Sequence, residues 1–590
     1  MKPSSAPAVA TAPRAIVLGV VVLASACHSS AAPLDAGSGV ATPPQPSATP
    51  IVVAPPQPSS PPQPPNTAPP SASPAVASSP IDFSAMNAAL AGKKPAPSCA
   101  PIGKGVRYDV GSARTPSLDE VPWTSLAPGD VVCVPYRPEP YRAKIFFVTR
   151  GAKDAPIRLV GLRGPHGERP IIDGDGATTS HFINPPAGDR WLEPFGVISM
   201  VTHFAPPKGA PWGWHPGWIT ITGLRIQHAR PAYTFTDSAG KSQHYPGFSS
   251  AIYINPGDDV VIEDCEVTDS QVGIFAKSFE KTPNQIDRVT ERLTLRGNYI
   301  HGNGDGKALG IHNVYIEARG CDVIGNSMVH QAGSVGANYK SRCAHERIFG
   351  NRIEGGSQGL LVLIDPQSGW DSLGVAPDFE PTVVAGNLLL NPFENGALGS
   401  PLVAFGGDSY RDEDHYRKSL IFYANTVLGR SHGGSRIPVI STAHLTRKAP
   451  SITAWFSSNL IDNPGDGVAG TPLKLALATG AGNVVVDHGF NAAGIPAFDE
   501  YDRGAHGTVA GWTPAAGSAG IPAGPAEPRP IKGSPLIDAG APFTSLPAES
   551  RASTVTDFAL YEPSGSIEDP WYRARAVNGA VDIGAYEAAP

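Results

Sequence analysis

A short unit recurs along this chain and limits the folds it can adopt. The unit has two or three apolar residues, a small residue, an Asn or a substitute, and another apolar residue. Asp264 opens the series, and Asn298, Asn326, Asn351, Asn387, Asn425 and Asn459 continue it. The successive intervals are 34, 28, 25, 36, 38 and 34 residues. The shortest interval fits one solenoid coil of three short strands, and the longer ones fit the same coil with an inserted loop.

An Asn at each turn can hydrogen-bond to its counterpart in the next coil, as amides do in stacked sheets. Such coils are stable only when they stack on neighbours. A β-sandwich would instead show Asn-Gly or Asp-Gly hairpin turns every 8–12 residues or so, and these are sparse here. The 65 Gly and 63 Pro among 590 residues also favour short strands and tight turns over a helical bundle. We therefore predict an all-β chain folded as a right-handed parallel β-helix.

Residues 1–27 have the features of an export signal. Lys2 and Arg14 precede the apolar run 15–23, which is too short to span a bilayer. The following Ala24–Cys27 resembles a bacterial lipobox, and this resemblance implies cleavage before Cys27 and lipidation of its thiol. An ordinary cleavage site beside an incidental Cys is the alternative. We expect an exported protein that is lipid-anchored at the outer membrane or cell surface and touches the membrane only through this anchor.

A linker separates this signal from the folded part. Residues 32–80 hold 16 Pro, no aromatic residue and one charged residue, Asp35. Such a composition cannot form a core and favours extended polyproline II. We predict a disordered Pro/Ala/Ser-rich linker over 28–96, a β-helix with inserted loops over 97–480, and a closing segment over 481–590. The net charge of −7 argues against a nucleic-acid partner.

Several segments resemble known β-helix proteins. Trp123–Val131, Ala155–Gly161 and Pro170–Gly174 resemble the first coils of pectate-lyase-like proteins, and Gly533–Gly540 and Val581–Glu587 resemble the closing segment of many bacterial members. The resemblance covers about five-sixths of the chain. It implies the fold and leaves the reaction open.

The central coils carry an unusual set of charges. Lys340 and Arg342 lie two residues apart, so in a strand their side chains share one face. Adjacent coils lie ~4.8 Å apart, which places Glu317 on one side of Arg342 and Asp365 on the other. We predict a strip of two cations and two carboxylates on an outer face, open to solvent in a groove. Salt bridges that hold Arg342 in place are the alternative.

Lys340-Ser-Arg342 with Glu317 upstream resembles the chondroitinase B and alginate lyase group. In that group the Arg lies about one coil further along. The resemblance implies that Lys340 is the base and Arg342 the acid, and that Glu317, Asp365 and Asn313 hold Ca²⁺. A cation beside the substrate carboxylate would assist removal of the C5 proton of a uronic acid.

Further candidates lie on nearby coils and loops. His312 and Tyr339 are candidates for proton transfer, although an inward Tyr is more often a core residue. Asn338 and the loop aromatics Trp212, Trp214 and Tyr233 are candidates for substrate binding, because aromatic faces suit sugar rings. A self-packed cap is the alternative for these loops.

The five cysteines beyond Cys27 allow two disulfides in an exported protein. Cys99 with Cys133 and Cys321 with Cys343 are the plausible pairs, which counting alone cannot establish. We expect a monomeric lyase that cleaves an anionic, uronic-acid-containing glycan by β-elimination. A glycoside hydrolase using Asp365 with Asp408 or Glu317, a C5-epimerase and a non-catalytic glycan-binding or adhesive protein remain alternatives.

Overall fold

The computed structural model describes most of the chain from residue 94 onward. The described ranges are 94–204, 214–278, 289–305, 310–330, 336–366, 381–391, 401–407, 417–429, 438–441, 453–462, 476–478, 484–487, 491–493, 512–514, 529–530, 534, 536–541, 561–575, 581–582 and 584–586. The predicted signal with Cys27, the linker up to residue 93, Trp212 and Asp408 lie outside these ranges. Within them, no helix has the length and apolar character needed to cross a membrane.

Three sheets run along the described part of the chain, and most coils contribute one strand to each sheet. The first sheet has 12 strands, all parallel: Arg107–Asp109, Val131–Pro135, Ile157–Leu162, Gly217–Thr222, Asp258–Glu263, Glu291–Arg296, Arg319–Ile324, Ala344–Phe349, Thr382–Ala385, Ser419–Tyr423, Thr453–Ser457 and Val484–Asp487. The third sheet has 11, also parallel: Ile171–Asp173, Arg225–Gln227, Glu266–Thr268, Tyr299–His301, Ser327–Val329, Arg352–Glu354, Leu388–Asn391, Thr426–Gly429, Leu460–Asp462, Asn491–Ala493 and Trp512–Pro514.

The second sheet has 13 strands: Ser242–His244, Thr234–Thr236, Ala177–Thr179, Ala143–Phe147, Gly196–Val201, Ser250–Asn255, Val272–Ala276, Val314–Ile316, Tyr339–Ser341, Leu361–Leu363, Val403–Phe405, Pro438–Ser441 and Ala476–Ala478. Its first two strands form an antiparallel hairpin, and the others are parallel. Short 3-10 helices cover Leu118–Glu120, Arg190–Phe195 and Thr202–Phe204.

These sheets form the predicted all-β parallel β-helix, whose right-handed sense follows the rule for parallel crossovers. Alternate strand residues fill the interior. In the first sheet, for example, Ile262, Leu295 and Val323 lie opposite one another on successive rungs and are fully buried. The first coils are also as predicted: Trp123 is fully buried, and the Asp130 carboxylate accepts the backbone N–H of Val106 at 2.6 Å.

The predicted Asn ladder is confirmed. From Asn326 to Asn459, the side-chain oxygen of each Asn accepts the side-chain amide N–H of the preceding ladder Asn at 2.9–3.1 Å. One position needs correction, because Cys265 rather than Asp264 occupies the first place: its backbone N–H donates to Asn298 Oδ1 at 3.0 Å. Asp264 takes the preceding turn position, with φ of 51°, where the next coil has Gly297 with φ of 61°.

Both suggested disulfides are present. Cys99 pairs with Cys133, and Cys321 pairs with Cys343. Cys265 is a buried free thiol, and burial raises its pKa to about 12.

The C-terminal part differs from the expected closing segment. Strands at Val484–Asp487, Asn491–Ala493 and Trp512–Pro514 extend the sheets beyond residue 480. An antiparallel hairpin, Tyr561–Gly565 with Pro570–Ala574, then packs along the side of the coils. The hairpin lies so close that a Cβ on Gly297 would lie 2.3 Å from the Trp571 ring. Glycine is therefore required there both for its positive φ and for this contact.

Candidate functional site

The outer face of the second sheet carries a column of aromatic and charged side chains. Tyr253, Phe275, Tyr315 and Lys340 lie directly opposite one another on successive rungs, and we call them the outer column. Their strand neighbours point into the core, as period-two alternation requires. The rings of Tyr253 and Phe275 are 5.7 Å apart, and those of Phe275 and Tyr315 are 5.3 Å apart and nearly parallel.

Two cations converge on the last ring of this column. Lys340 Nζ lies 5.3 Å from the Tyr315 ring centroid, and the Arg342 guanidinium carbon lies 6.0 Å from it. Arg342 Nε also donates a hydrogen bond to the Tyr315 hydroxyl oxygen at 2.9 Å. We call Tyr315, Lys340 and Arg342 the Tyr315 cluster. Lys340 and Arg342 thus share one face, as their spacing predicts.

The two predicted carboxylates lie on the rungs on either side of Arg342. The Arg342 N–H donates to Ile316 O at 2.8 Å, so Glu317 is its neighbour on the preceding rung. On the following rung, Arg342 Nη1 donates to the backbone oxygen of Asp365 at 2.5 Å and lies 3.8 Å from its carboxylate. A salt bridge to Arg342, the alternative considered from sequence, is therefore present.

The expectation of an open charged strip is wrong with respect to exposure. Lys340 is 6% exposed, Arg342 1% and Glu317 3%, and Asp365 is completely buried. Buried charges persist when they are paired and hydrogen-bonded, and Arg342 and Asp365 are such partners. Tyr315 is partly exposed, so it is the member of the cluster that a ligand can reach from outside.

Tyr339 lies on the inner side of the strand that carries Lys340. It is fully buried, and its hydroxyl donates to Glu346, which also pairs with Arg417. Burial, with the neighbouring Glu346 carboxylate, raises the Tyr339 pKa well above its usual value. Its predicted catalytic role is thus corrected, because a phenol in the core cannot contact a glycan on the outer face.

His312 adjoins the Tyr315 cluster from the preceding corner. Its ring packs edge-on against Tyr315 at 5.3 Å, and its Nδ1 accepts the backbone N–H of Ala337 at 3.0 Å. Only 1% of His312 is exposed. These contacts position the Tyr315 ring.

Asn313 and Asn338 belong to a second internal ladder. Asn313 Oδ1 accepts from Asn303 at 2.7 Å, and Asn313 Nδ2 donates to Asn338 Oδ1 at 3.0 Å. Both residues are fully buried, so the predicted roles of Asn313 as a metal ligand and of Asn338 in substrate binding are corrected. Glu317, Asp365 and Asn313 do not fit a calcium ion as a set, because the Asn313 amide is already bonded within the corner.

Among the residues that the structure describes, a group of three side chains spaced to hold a metal ion occurs at Asp119, Glu120 and His181. That group lies near the first coils and includes none of the predicted ligands.

The aromatic inserts mainly pack on the coil itself. Tyr233 donates to Asp269 at 2.7 Å and packs on His228 at 4.5 Å, and burial together with Asp269 raises its pKa to about 12. Trp214 is half-buried. Trp191 is 52% exposed and packs edge-on against Phe195, which stacks on Tyr253 at 5.4 Å.

Sequence reasoning missed Tyr315 and the outer column. A usable signal exists, since Phe275, Tyr315 and Lys340 each follow a corner residue by two positions: Gly273, Asn313 and Asn338. Aligning the coils on these corners places the three side chains in one column.

Solved structures similar to this chain include several β-helix enzymes. The alginate lyase from Paenibacillus sp. str. FPU-7 is 10% identical over 56% of this chain and 87% of that chain, with a TM-score of 0.34. Pectate lyase Pel9A is 11% identical over 79% and 90%, with a TM-score of 0.31. The DFA-IIIase from Arthrobacter chlorophenolicus A6 is 11% identical over 62% and 84%, with a TM-score of 0.33.

No family model and no curated protein matches the chain. Structural similarities of this size decide nothing about the reaction.

Proposed function

We propose that this protein is a polysaccharide-active enzyme, a lyase that cleaves a uronic-acid-containing glycan by β-elimination at the Tyr315 cluster. The observation that carries the proposal is the convergence of Lys340 and Arg342 on the partly exposed Tyr315 ring. A guanidinium and a lysine amine beside one accessible aromatic ring suit a sugar that bears a carboxylate.

The chemistry follows from these charges. β-Elimination breaks the C5–H bond of the uronate, its electron pair forms the C4=C5 double bond, and the C4–O bond breaks. Negative charge spreads onto the carboxylate as the proton leaves, and nearby fixed cations stabilise that charge. In our proposal the neutral amine of Lys340 takes the C5 proton and becomes an ammonium, the positive charge of Arg342 stabilises the developing negative charge, and the leaving oxygen receives a proton.

Access to these charges is through Tyr315. Lys340 is 6% exposed and its Nζ lies over the ring, so in our proposal the substrate reaches the site at the partly exposed Tyr315. The outer column continues on the other side of this ring with Phe275, which is also partly exposed. An apolar surface therefore adjoins the charged one, as an amphipathic sugar chain requires.

The proposal is tested by incubating the purified full-length protein with alginate, pectate and glycosaminoglycans. The expected product is an unsaturated uronate, detected by its ultraviolet absorbance. Lys340→Ala should lower turnover by about 10²–10⁴-fold, the range of a lost general base. Lys104→Ala, which removes an exposed lysine in the first coils, is the matched control and should retain activity.

Other results would identify the alternatives. New reducing ends without unsaturation indicate a hydrolase, and an altered C5 configuration without chain cleavage indicates an epimerase. Glycan binding without any turnover by the wild-type protein indicates a binding or adhesive protein. Full activity of Lys340→Ala would remove Lys340 as the base.

A further inference from the structure

The contacts of Arg342 argue against the acid role that the resemblance implies for it. Arg342 is 1% exposed, and its donors are directed at neighbouring protein atoms: Nε at the Tyr315 oxygen and Nη1 at the Asp365 carbonyl. A guanidinium also stays protonated in proteins, which makes it a poor source of a proton. Tyr315 is more exposed and carries a transferable hydroxyl proton.

We propose that Tyr315 is the catalytic acid, which gives its hydroxyl proton to the glycosidic oxygen that leaves C4. The inference rests on the proposed lyase function and assigns a further residue to the same site. The neutral Lys340 amine gains the C5 proton and becomes an ammonium, the C5–H electron pair becomes the C4=C5 bond, and the departing oxygen takes the Tyr315 proton as the C4–O bond breaks. Transfer of a proton from the Lys340 ammonium to the Tyr315 phenolate, directly or through water, then restores both residues.

The neighbours of Tyr315 suit this role. Once the proton has left, the phenolate oxygen accepts the hydrogen bond from Arg342 Nε, which lies 2.9 Å away. A hydrogen bond from a cation favours the charged form of its acceptor. Lys340 lies close to the same ring, at 5.3 Å from its centroid, so the proton gained there has a short return path.

The ring is also fixed in place, as a proton donor must be. Phe275 stacks on it with the two ring planes 16° apart, and His312 packs edge-on against it. Besides its charge, Arg342 thus contributes the hydrogen bond that holds the Tyr315 hydroxyl in place.

The test compares two substrates that differ in their need for an acid. One is the polysaccharide that the wild-type protein cleaves, and the other is a synthetic methyl uronate glycoside with nitrophenoxide at C4, a leaving group that departs without protonation. Tyr315→Phe should lower kcat/KM by about 10²–10⁴-fold on the polysaccharide. On the nitrophenoxide substrate the same variant should change kcat/KM by less than about tenfold. Loss of a general acid predicts this contrast between the two substrates, because only the polysaccharide needs its leaving oxygen protonated.

Tyr299→Phe is the matched control, because Tyr299 is a partly exposed tyrosine on the third sheet, stacked on His301 at 3.9 Å. It should leave both activities near wild type. Retained turnover of the nitrophenoxide substrate also shows that the Tyr315→Phe protein is folded.

Two results overturn the assignment. Equal losses by Tyr315→Phe on both substrates would mean that the hydroxyl only supports the site, and unchanged polysaccharide cleavage would mean that another group is the acid. Elimination from neither substrate by the wild-type protein is a different result, since it rejects the lyase function itself and the assignment with it.

Discussion

The Asn ladder and the Tyr315 cluster are both columns of polar side chains on successive rungs, but their polar atoms contact different partners. In the ladder, Asn351 Oδ1 accepts the side-chain amide and backbone N–H of Asn326, and its Nδ2 donates to Asn387 and to a backbone oxygen. In the cluster, Arg342 and Lys340 are directed at the ring and hydroxyl of the partly exposed Tyr315. The ladder side chains are buried, whereas the cluster includes one partly exposed side chain, that of Tyr315.

This difference separates polar residues that build the coil from those that can act on a ligand. An amide whose hydrogen-bonding capacity is used by adjacent coils has little left for a substrate. In the Tyr315 cluster, by contrast, the charged groups adjoin a partly exposed ring, so a ligand can still contact this site. The strand Tyr339–Ser341 shows both behaviours, because Tyr339 points into the core and Lys340 points to the outer column.

The largest effect is expected inside the coil, at the ion pair between Arg417 and Glu346. Arg417 Nη1 lies 2.6 Å from Glu346 Oε2, and the two side chains are 1% and 0% exposed. Arg417→Met leaves a buried carboxylate without its cation, so the free energy of unfolding measured in urea should fall by about 3–5 kcal/mol.

A double variant sharpens this prediction. Arg417→Met combined with Glu346→Leu removes both charges and should recover most of the lost stability, because an apolar pair can replace a buried ion pair. Loss of substrate turnover by the folded double variant would contradict the purely structural role that we assign to this inner network.

The second effect concerns the ladder itself. Asn351→Ala removes an amide that bonds to both neighbouring coils and leaves their buried polar groups unsatisfied. The free energy of unfolding should fall by about 2–3 kcal/mol, as judged from urea denaturation. Asn255→Ala is the matched control, because the buried side-chain oxygen of Asn255 accepts no hydrogen bond from the described part of the chain. Equal losses in the two variants would show that the ladder bonds add nothing beyond burial.

The ladder and the convergence of Lys340 and Arg342 were predictable because both follow from local periodicity. A turn residue with positive φ followed by Asn recurs in six successive coils, and alternation along a strand fixes which side chains share a face. The suggested Cys321–Cys343 disulfide is confirmed for a related reason, since its two cysteines lie on neighbouring coils.

Other features depend on contacts that a single coil does not show. Asn313 and Asn338 have the residue type of a ligand, yet alignment with the next corner makes them ladder amides. Burial of Lys340 and Arg342 depends on what packs over them, which spacing does not reveal. Tyr315 alone looks like an ordinary strand aromatic, and its importance appears only when Lys340 is placed on the next rung.

The smallest expected effect comes from Lys144, which is buried on the outer face of the second sheet. Its ammonium lies 4.1 Å from the Phe235 ring centroid and 4.6 Å from that of Tyr245, and donates to the Gly196 carbonyl. Burial lowers its pKa from 10.5 to about 7, although Glu193 opposes the shift. Unlike Lys340, it is covered by a packed insert.

The sign of the pH dependence follows from this shift. Above about pH 7 the unfolded chain still binds the Lys144 proton and the folded chain has released it, so folding becomes more favourable as pH rises. The free energy of unfolding should rise by about 1 kcal/mol per pH unit between about pH 7 and pH 9. Lys144→Met should flatten this rise, whereas Lys104→Met, at an exposed lysine, should keep it. An unchanged slope in Lys144→Met would show that the covered lysine stays charged in the folded protein.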